Sequence, residues 1–276
     1  MTATVVFFLA LGVVAMLLGR PLWRGYRRRQ LRARPLPDSW RTQIEHTMPL
    51  YRHLPADLRL RLDGLVQQFV AEKDFVGCQG LVVTQEMKLA IAAQACLLVV
   101  NRAARLYDEL FSVLIYPAAF IAPEVRHDEA GVVHQHESVL SGQTWDTHRV
   151  ILSWDDVQAS FKSPGDGFNV VYHEFAHYLD AEDGGVNGAP LLGDAEHYER
   201  WSEVMSAEFQ TLREAAERGE PTLLDAYGAE DPGEFFAVAT EVFFELPAEM
   251  RTRHPALYTE LSRFYRLDPA SWLRAP

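Results

Sequence analysis

The chain has 276 residues, 48 % apolar and 23 % charged, which suits one large or two small globular domains and excludes a wholly disordered chain, a collagen and a multi-span membrane protein. Its two cysteines, Cys78 and Cys96, exclude a disulfide scaffold and a four-cysteine zinc site, so any bound zinc rests on histidine and carboxylate. The net charge of -12 is unevenly spread: residues 1–35 hold seven arginines and no acid, which leaves 19 basic against 38 acidic side chains in residues 36–276 and argues against nucleic-acid binding by that body.

Ala3 to Gly19 is an uncharged run rich in Val, Leu, Phe and Ala. Seventeen residues make a helix of roughly 25 Å, and Leu22 and Trp23 extend it if Arg20 snorkels. No basic residue precedes the run and arginines follow it at once, which favours an uncleaved anchor over a signal peptide. The expectation is one N-terminal apolar helix through residues 3–23 in the inner membrane, with Arg20, Arg24, Arg27, Arg28, Arg29, Arg32 and Arg34 against an anionic leaflet. The body then lies on the cytoplasmic face, in keeping with sparse cysteine. Arg34-Pro35-Leu36-Pro37-Asp38 reads as a stiff linker, dividing the chain into a segment of residues 1–35 and a domain of residues 36–276.

Residues 39–76 show a helical pattern, with Leu58, Leu62, Leu65, Val66 and Phe69 among the core candidates. Gly80–Val83 reads as a short strand, and Thr84 as the cap of a buried helix from Gln85 to about Val100 that carries Cys96 as a core residue. Residues 110–154 read as β, with strands at Phe111–Tyr116, Gly131–His136 and Val150–Trp154. Helical patterns return at about 156–162, 168–180, 195–218, 232–245 and 255–265, and the fold class expected is α+β, strands in the middle and helices on both sides. His134 and His136 share a strand face but have no further ligand at an obvious spacing.

The strongest chemical signal is Val170-Val171-Tyr172-His173-Glu174-Phe175-Ala176-His177, a His-Glu-x-x-His in an apolar helical pattern. Four residues on a helix put His173 and His177 one turn apart on one face, where two neutral imidazoles can bind one zinc. Glu174 can reach a water there without occupying a ligand position, and take its proton as general base. Asp180 could orient a ligand ring as a hydrogen-bond acceptor. A third ligand is required, and no histidine stands six residues beyond His177. The acids of residues 227–245 are the candidates, Glu234 and Glu241 foremost. Asp231, Pro232 and Glu234 also fit the N-cap, N1 and N3 of a helix, so Glu234 has a second reading as a capping residue. Glu241 shares its face two turns on, in a helix so apolar that an acid there needs a partner.

These stretches, with Gly188-Ala189-Pro190, Asp231-Pro232-Gly233-Glu234-Phe235-Phe236-Ala237-Val238, Ile91–Cys96 and Phe264-Tyr265-Arg266-Leu267-Asp268-Pro269, resemble the Mlc titration factor family of bacterial zinc metallopeptidases. The resemblance runs from about Pro37 to Pro269, and the family's catalytic domain is similar to that of anthrax lethal factor. It implies a zincin-like domain of gluzincin type, with a small mixed sheet and flanking helices. It implies Glu234 as the third zinc ligand, and Tyr227 as a phenol that stabilises the oxyanion of the tetrahedral intermediate. It also implies aminopeptidase-like activity on a peptide or protein substrate, and a partner in a glucose-regulated transcriptional repressor of the Mlc type. The alternative is a membrane-tethered binder that sequesters a transcription factor, with peptidase activity secondary. In metallopeptidases of this kind an edge strand beside the active helix pairs with substrate, and Val150–Trp154 is the expected one.

Overall fold

The computed structural model describes residues 2–102, 106–118, 120–127, 133–140, 142–146 and 148–272, and the side chains of residues 119–147, His134 and His136 among them, lie outside that description. The chain is a mixed α+β protein, mostly helical. Its first element, α1 (Thr2–Ala33), joins the uncharged run to the arginine stretch in one helix with Pro21 inside it. Val5, Phe7, Phe8, Leu11, Leu22, Trp23 and Tyr26 are exposed on it. Most side chains of residues 2–18 lie outside the description; among the described residues no helix is long and apolar enough to cross a membrane.

The arginines of α1 do not all face outward. Arg28 pairs with Glu72 at 3.0 Å and Asp108 at 2.9 Å, and Arg32 donates to Gln68 at 2.5 Å. The Arg34 carbonyl accepts from Gln67 at 2.7 Å, and a Cβ on Gly64 would meet the Arg32 carbonyl at 2.8 Å. The C-terminal half of α1 is thus docked on the body.

The expected helix over residues 39–76 breaks in two, α2 (Asp38–Thr47) and α3 (Ala56–Glu72), around a 3-10 turn at Pro49–His53. Pro49 opens the 3-10 turn and Pro55 immediately precedes α3, because proline has no N–H to continue an old helix. The strand then forms earlier than expected: β1 is Asp74–Gly77, and residues 81–84 pair with no strand. A Cβ on Gly77 would lie 1.9 Å from the Leu81 carbonyl, so the chain doubles back against the end of β1. Helix α4 (Gln85–Val99) begins at Thr84, whose hydroxyl accepts the Met87 N–H at 3.3 Å. It is buried nearly throughout, Cys96 included.

Strand β2 (Ser112–Tyr116) is followed by an antiparallel pair, β3 (Phe120–His127) and β4 (Val133–Leu140), separate from the main sheet. Strands β5 (Gly142–Asp146) and β6 (Arg149–Ser153) complete that sheet, in the order β1-β2-β6-β5. The first three are parallel and β5 is antiparallel to β6. So Val150–Ser153 is an interior strand, with β1 and β5 at the two edges and β5 the one beside α6, which corrects the expected substrate-pairing strand. Val150–Trp154 is the strand nearest in sequence to the His-Glu-x-x-His helix, which is the reason for that expectation; edge position depends instead on pairing partners that no local pattern encodes.

Helices α5 (Trp154–Lys162), α6 (Val170–Asp180), α7 (Ala195–Glu217) and α8 (Pro232–Glu245) follow, then α9 (Pro247–Arg253), α10 (Pro255–Tyr265) and the short α11 (Pro269–Trp272). Helix α6 lies between the sheet, α4 and α8, with its Phe175 buried against Phe69 and Tyr107. A core on several sides fixes the helix, and the chemistry it carries, in place.

Candidate metal centre

Asn169 starts α6: its side-chain oxygen accepts the N–H groups of Val171 at 3.2 Å and Tyr172 at 3.1 Å. Asn169 is itself clamped to α8. Its side chain donates to Glu245 at 2.8 Å, and its backbone N–H makes a very short bond to Glu241. Asp231 caps α8, accepting from Gly233 at 2.8 Å and Glu234 at 3.0 Å, with Pro232 at the first helical position. Two well-defined helix starts, tied to each other, bring the histidine face of α6 against the acidic face of α8.

Three donors converge there. His173 Nε2 and His177 Nε2 are 3.1 Å apart, and Glu234 Oε2 lies 3.0 Å from the first and 3.3 Å from the second. His173, His177 and Glu234 form a group that could hold a metal ion. The capping of α8 falls to Asp231, which frees the Glu234 carboxylate for the histidines. The histidines in turn hold Glu234 below the usual carboxylate range, although burial alone would raise it.

Glu241 is not in that group; it sits behind it. Its Oε1 lies 2.8 Å from His173 Nδ1, while its Oε2 takes the Asn169 N–H. With Nδ1–H donated to Glu241, His173 presents a bare Nε2 to the centre. This resolves the cost of an acid in an apolar helix: Glu241 is buried but fully used. Asp180 does not take the part expected of it. Its carboxylate accepts the Gly188 N–H at 2.7 Å instead, and burial pushes it up to about 6. His177 Nδ1 has no hydrogen-bond partner among the described residues.

Glu174 is buried on α6, and burial pushes its carboxyl up to about 7. Tyr227 stands half-exposed on the 3-10 turn Ala226–Ala229, just before α8, its ring centre 6.0 Å from that of His173. Burial, then the nearby Glu234 and Glu230, raise its phenol well above the ordinary value, so it stays a hydrogen-bond donor.

Sequence reasoning missed Asn169, Glu245 and the Gly188 loop. Gly188 has φ +75, its carbonyl accepts from Trp201 at 2.8 Å, and a Cβ there would lie 2.4 Å from the Pro232 carbonyl. It is the point where α6, α7 and the start of α8 meet, and its signal was the motif Gly188-Ala189-Pro190.

Residues 23–266 match the family described as glucose-regulated metallo-peptidase M90. An uncharacterized protein of Synechocystis sp. is 39 % identical over 266 residues, 96 % of this chain and 97 % of its own length. The Mlc titration factor A proteins of Yersinia pestis (strain Pestoides F) and Yersinia pseudotuberculosis (serotype O:1b) are each 36 % identical over 230 residues, 82 % of this chain and 84 % of theirs.

Proposed function

The chain belongs to the glucose-regulated metallopeptidase family M90, and on that premise we propose that it hydrolyses peptide bonds as a zinc peptidase of gluzincin type, with aminopeptidase-like action on small substrates. The observation that carries this reading is the spacing of the three donors. A tetrahedral ion 2.0–2.1 Å from each ligand needs them about 3.3 Å apart, and the distances here are 3.0 to 3.3 Å. His173, His177 and Glu234 would hold the zinc, which would supply Lewis acidity and acidify a water.

The remaining steps belong to the protein. Glu241 holds His173 in the tautomer whose Nε2 is free. Glu174, buried and with its carboxyl pushed up to about 7, takes a proton from the attacking water and gives it to the leaving amine nitrogen. The Tyr227 phenol, kept protonated, donates to the oxyanion of the tetrahedral intermediate. The edge strand β5 packs beside α6 and offers its outer backbone groups to an extended substrate. Glu174→Gln is expected to retain bound zinc and lose at least ~10²-fold in turnover, the scale of general acid–base catalysis. Turnover like the wild type would remove Glu174 from the mechanism.

A second reading is supported by the name of the Yersinia relatives: a binder of an Mlc-type transcriptional repressor. Retained repressor binding by Glu174→Gln would make the two roles separable. For location, the uncharged run followed by arginines supports attachment through residues 3–23 at the cytoplasmic face of the inner membrane.

A further inference from the structure

Beyond the metal centre, the C-terminal end of α6, the end of α4, residues 191–194 and the end of α10 line a half-open cavity of about 820 Å³. That volume lies in the range of small-molecule sites. The body is strongly acidic, yet Arg102, Arg200, Arg263 and Arg266 all line this one cavity. Two of them are neutralised by neighbours, Arg200 by Glu196 at 2.5 Å and Arg263 by Glu260. Arg102 meets only Glu182, at 4.0 Å, and Arg266 has no ion pair among the described residues.

Arg102 lies flat on Phe264, its guanidinium carbon 3.7 Å from the ring centre. Its Nη1 is buried and has no hydrogen-bond partner among the described residues. The nearest carboxylate in its reach, Glu182, is 4.0 Å away, and the Leu191 carbonyl is 3.5 Å away. Arg266 adopts a left-handed conformation (φ +55), uncommon for a side chain of its size. It is the residue that ends α10, and Asn101 donates to its carbonyl at 2.8 Å. Asn101 precedes Arg102 in the chain, so this bond ties the backbone of Arg266 to the segment that carries Arg102. Arg266 makes no ion pair among the described residues. Of the acids on the wall, Asp108 is taken by Arg28 at 2.9 Å, Asp194 caps α7 by accepting from His197 at 2.9 Å, and Glu182 is the one that reaches Arg102.

A guanidinium withdrawn from water is costly unless an anion replaces its hydration, and a second cation beside it adds to the cost. Planar forked donors match the two oxygens of a carboxylate or phosphate. Leu191, Leu192 and Phe264 give the same cavity an apolar wall. We propose that this cavity binds a small organic anion, its carboxylate or phosphate gripped by Arg102 and Arg266 and its apolar part laid on Leu191 and Leu192.

The test uses the full-length zinc-loaded protein with two probes, phenyl phosphate and benzoate, at millimolar concentration and ionic strength matched with chloride. Melting temperature and calorimetric affinity are read for the wild type, Arg266→Gln and His173→Ala. At least one probe is expected to raise the melting temperature of the wild type, and which one does so identifies the headgroup. Arg266→Gln, a change at an exposed side chain, should bind it about tenfold or more weakly, the worth of one charge-assisted hydrogen bond. His173→Ala, which lacks a metal ligand, should bind it as the wild type does. No stabilisation by either probe overturns the proposal. So does a response kept in Arg266→Gln and lost in His173→Ala, which would put the anion on the metal.

Discussion

Gly188→Ala tests whether the metal centre depends on a glycine that contacts no ligand. The alanine methyl would stand 2.4 Å from the Pro232 carbonyl and 2.9 Å from its carbonyl carbon. Both are backbone atoms, so no side chain can swing aside. Relief requires the start of α8 to retreat by roughly 1 Å, the gap to ordinary van der Waals contact. The left-handed φ adds about 1–2 kcal/mol for a residue with a Cβ, and overpacking adds about 1–3 kcal/mol. The sum, about 2–5 kcal/mol, is a large part of the stability of an ordinary domain. Glu234 stands two residues after Pro232, and its carboxylate is placed to a few tenths of an ångström against two imidazoles. A shift of that size should weaken zinc binding by about 10- to 100-fold, the range found when the supports of a metal site are disturbed. Urea denaturation of the metal-free protein reads the first effect, and competition against a zinc chelator reads the second. Wild-type values in both would refute the reasoning. Lost stability with unchanged affinity would mean that the loop and α8 move together.

Glu234→Ala should lose most zinc, whereas Glu241→Gln, which keeps an acceptor for His173, should lose affinity by no more than about 100-fold; metal analysis showing the reverse order would exchange their roles. Lys73 is buried, donates to the Leu110 carbonyl at 2.7 Å and to the Tyr107 carbonyl, and burial lowers its ammonium to about 8. Because the unfolded chain keeps that proton to about pH 10.4, stability relative to Lys73→Met should rise between pH 8 and 10, by at most about 1.4 kcal/mol per unit. A difference that shrinks as pH rises, in urea melts at both ends of that window, contradicts the sign. Deleting residues 1–24 should leave the body's urea midpoint nearly unchanged. Deleting residues 1–35 should lower stability by about 2 kcal/mol or more, since it strips the Arg28 and Arg32 bonds from Glu72, Asp108 and Gln68. Equal midpoints would show that the docked half of α1 contributes nothing.

What could be read from the sequence is what a few neighbouring residues decide. The turn-to-turn spacing of His173 and His177, the caps at Thr84 and Asp231 and the helix stop at Asp180 are all local, and each is found where the pattern puts it. The failures are long-range. Whether β1 forms at residues 74–77 or 80–83 depends on a partner, β2, nearly forty residues away, and on Leu81 closing over Gly77. The identity of the edge strand depends on which strand is left unpaired on one side. Glu234 and Glu241 lie on one face of one helix, and sequence spacing cannot rank them. Their division of labour comes from how α8 is set along α6. Asn169 fixes that setting: it caps α6 with its own side-chain oxygen and is bound at two points by Glu241 and Glu245. With α8 so placed, Glu241 reaches the Nδ1 side of His173 and Glu234, two turns earlier, reaches the Nε2 side. One imidazole between two carboxylates on a single helix therefore fixes its tautomer from behind and leaves the nitrogen in front for the metal.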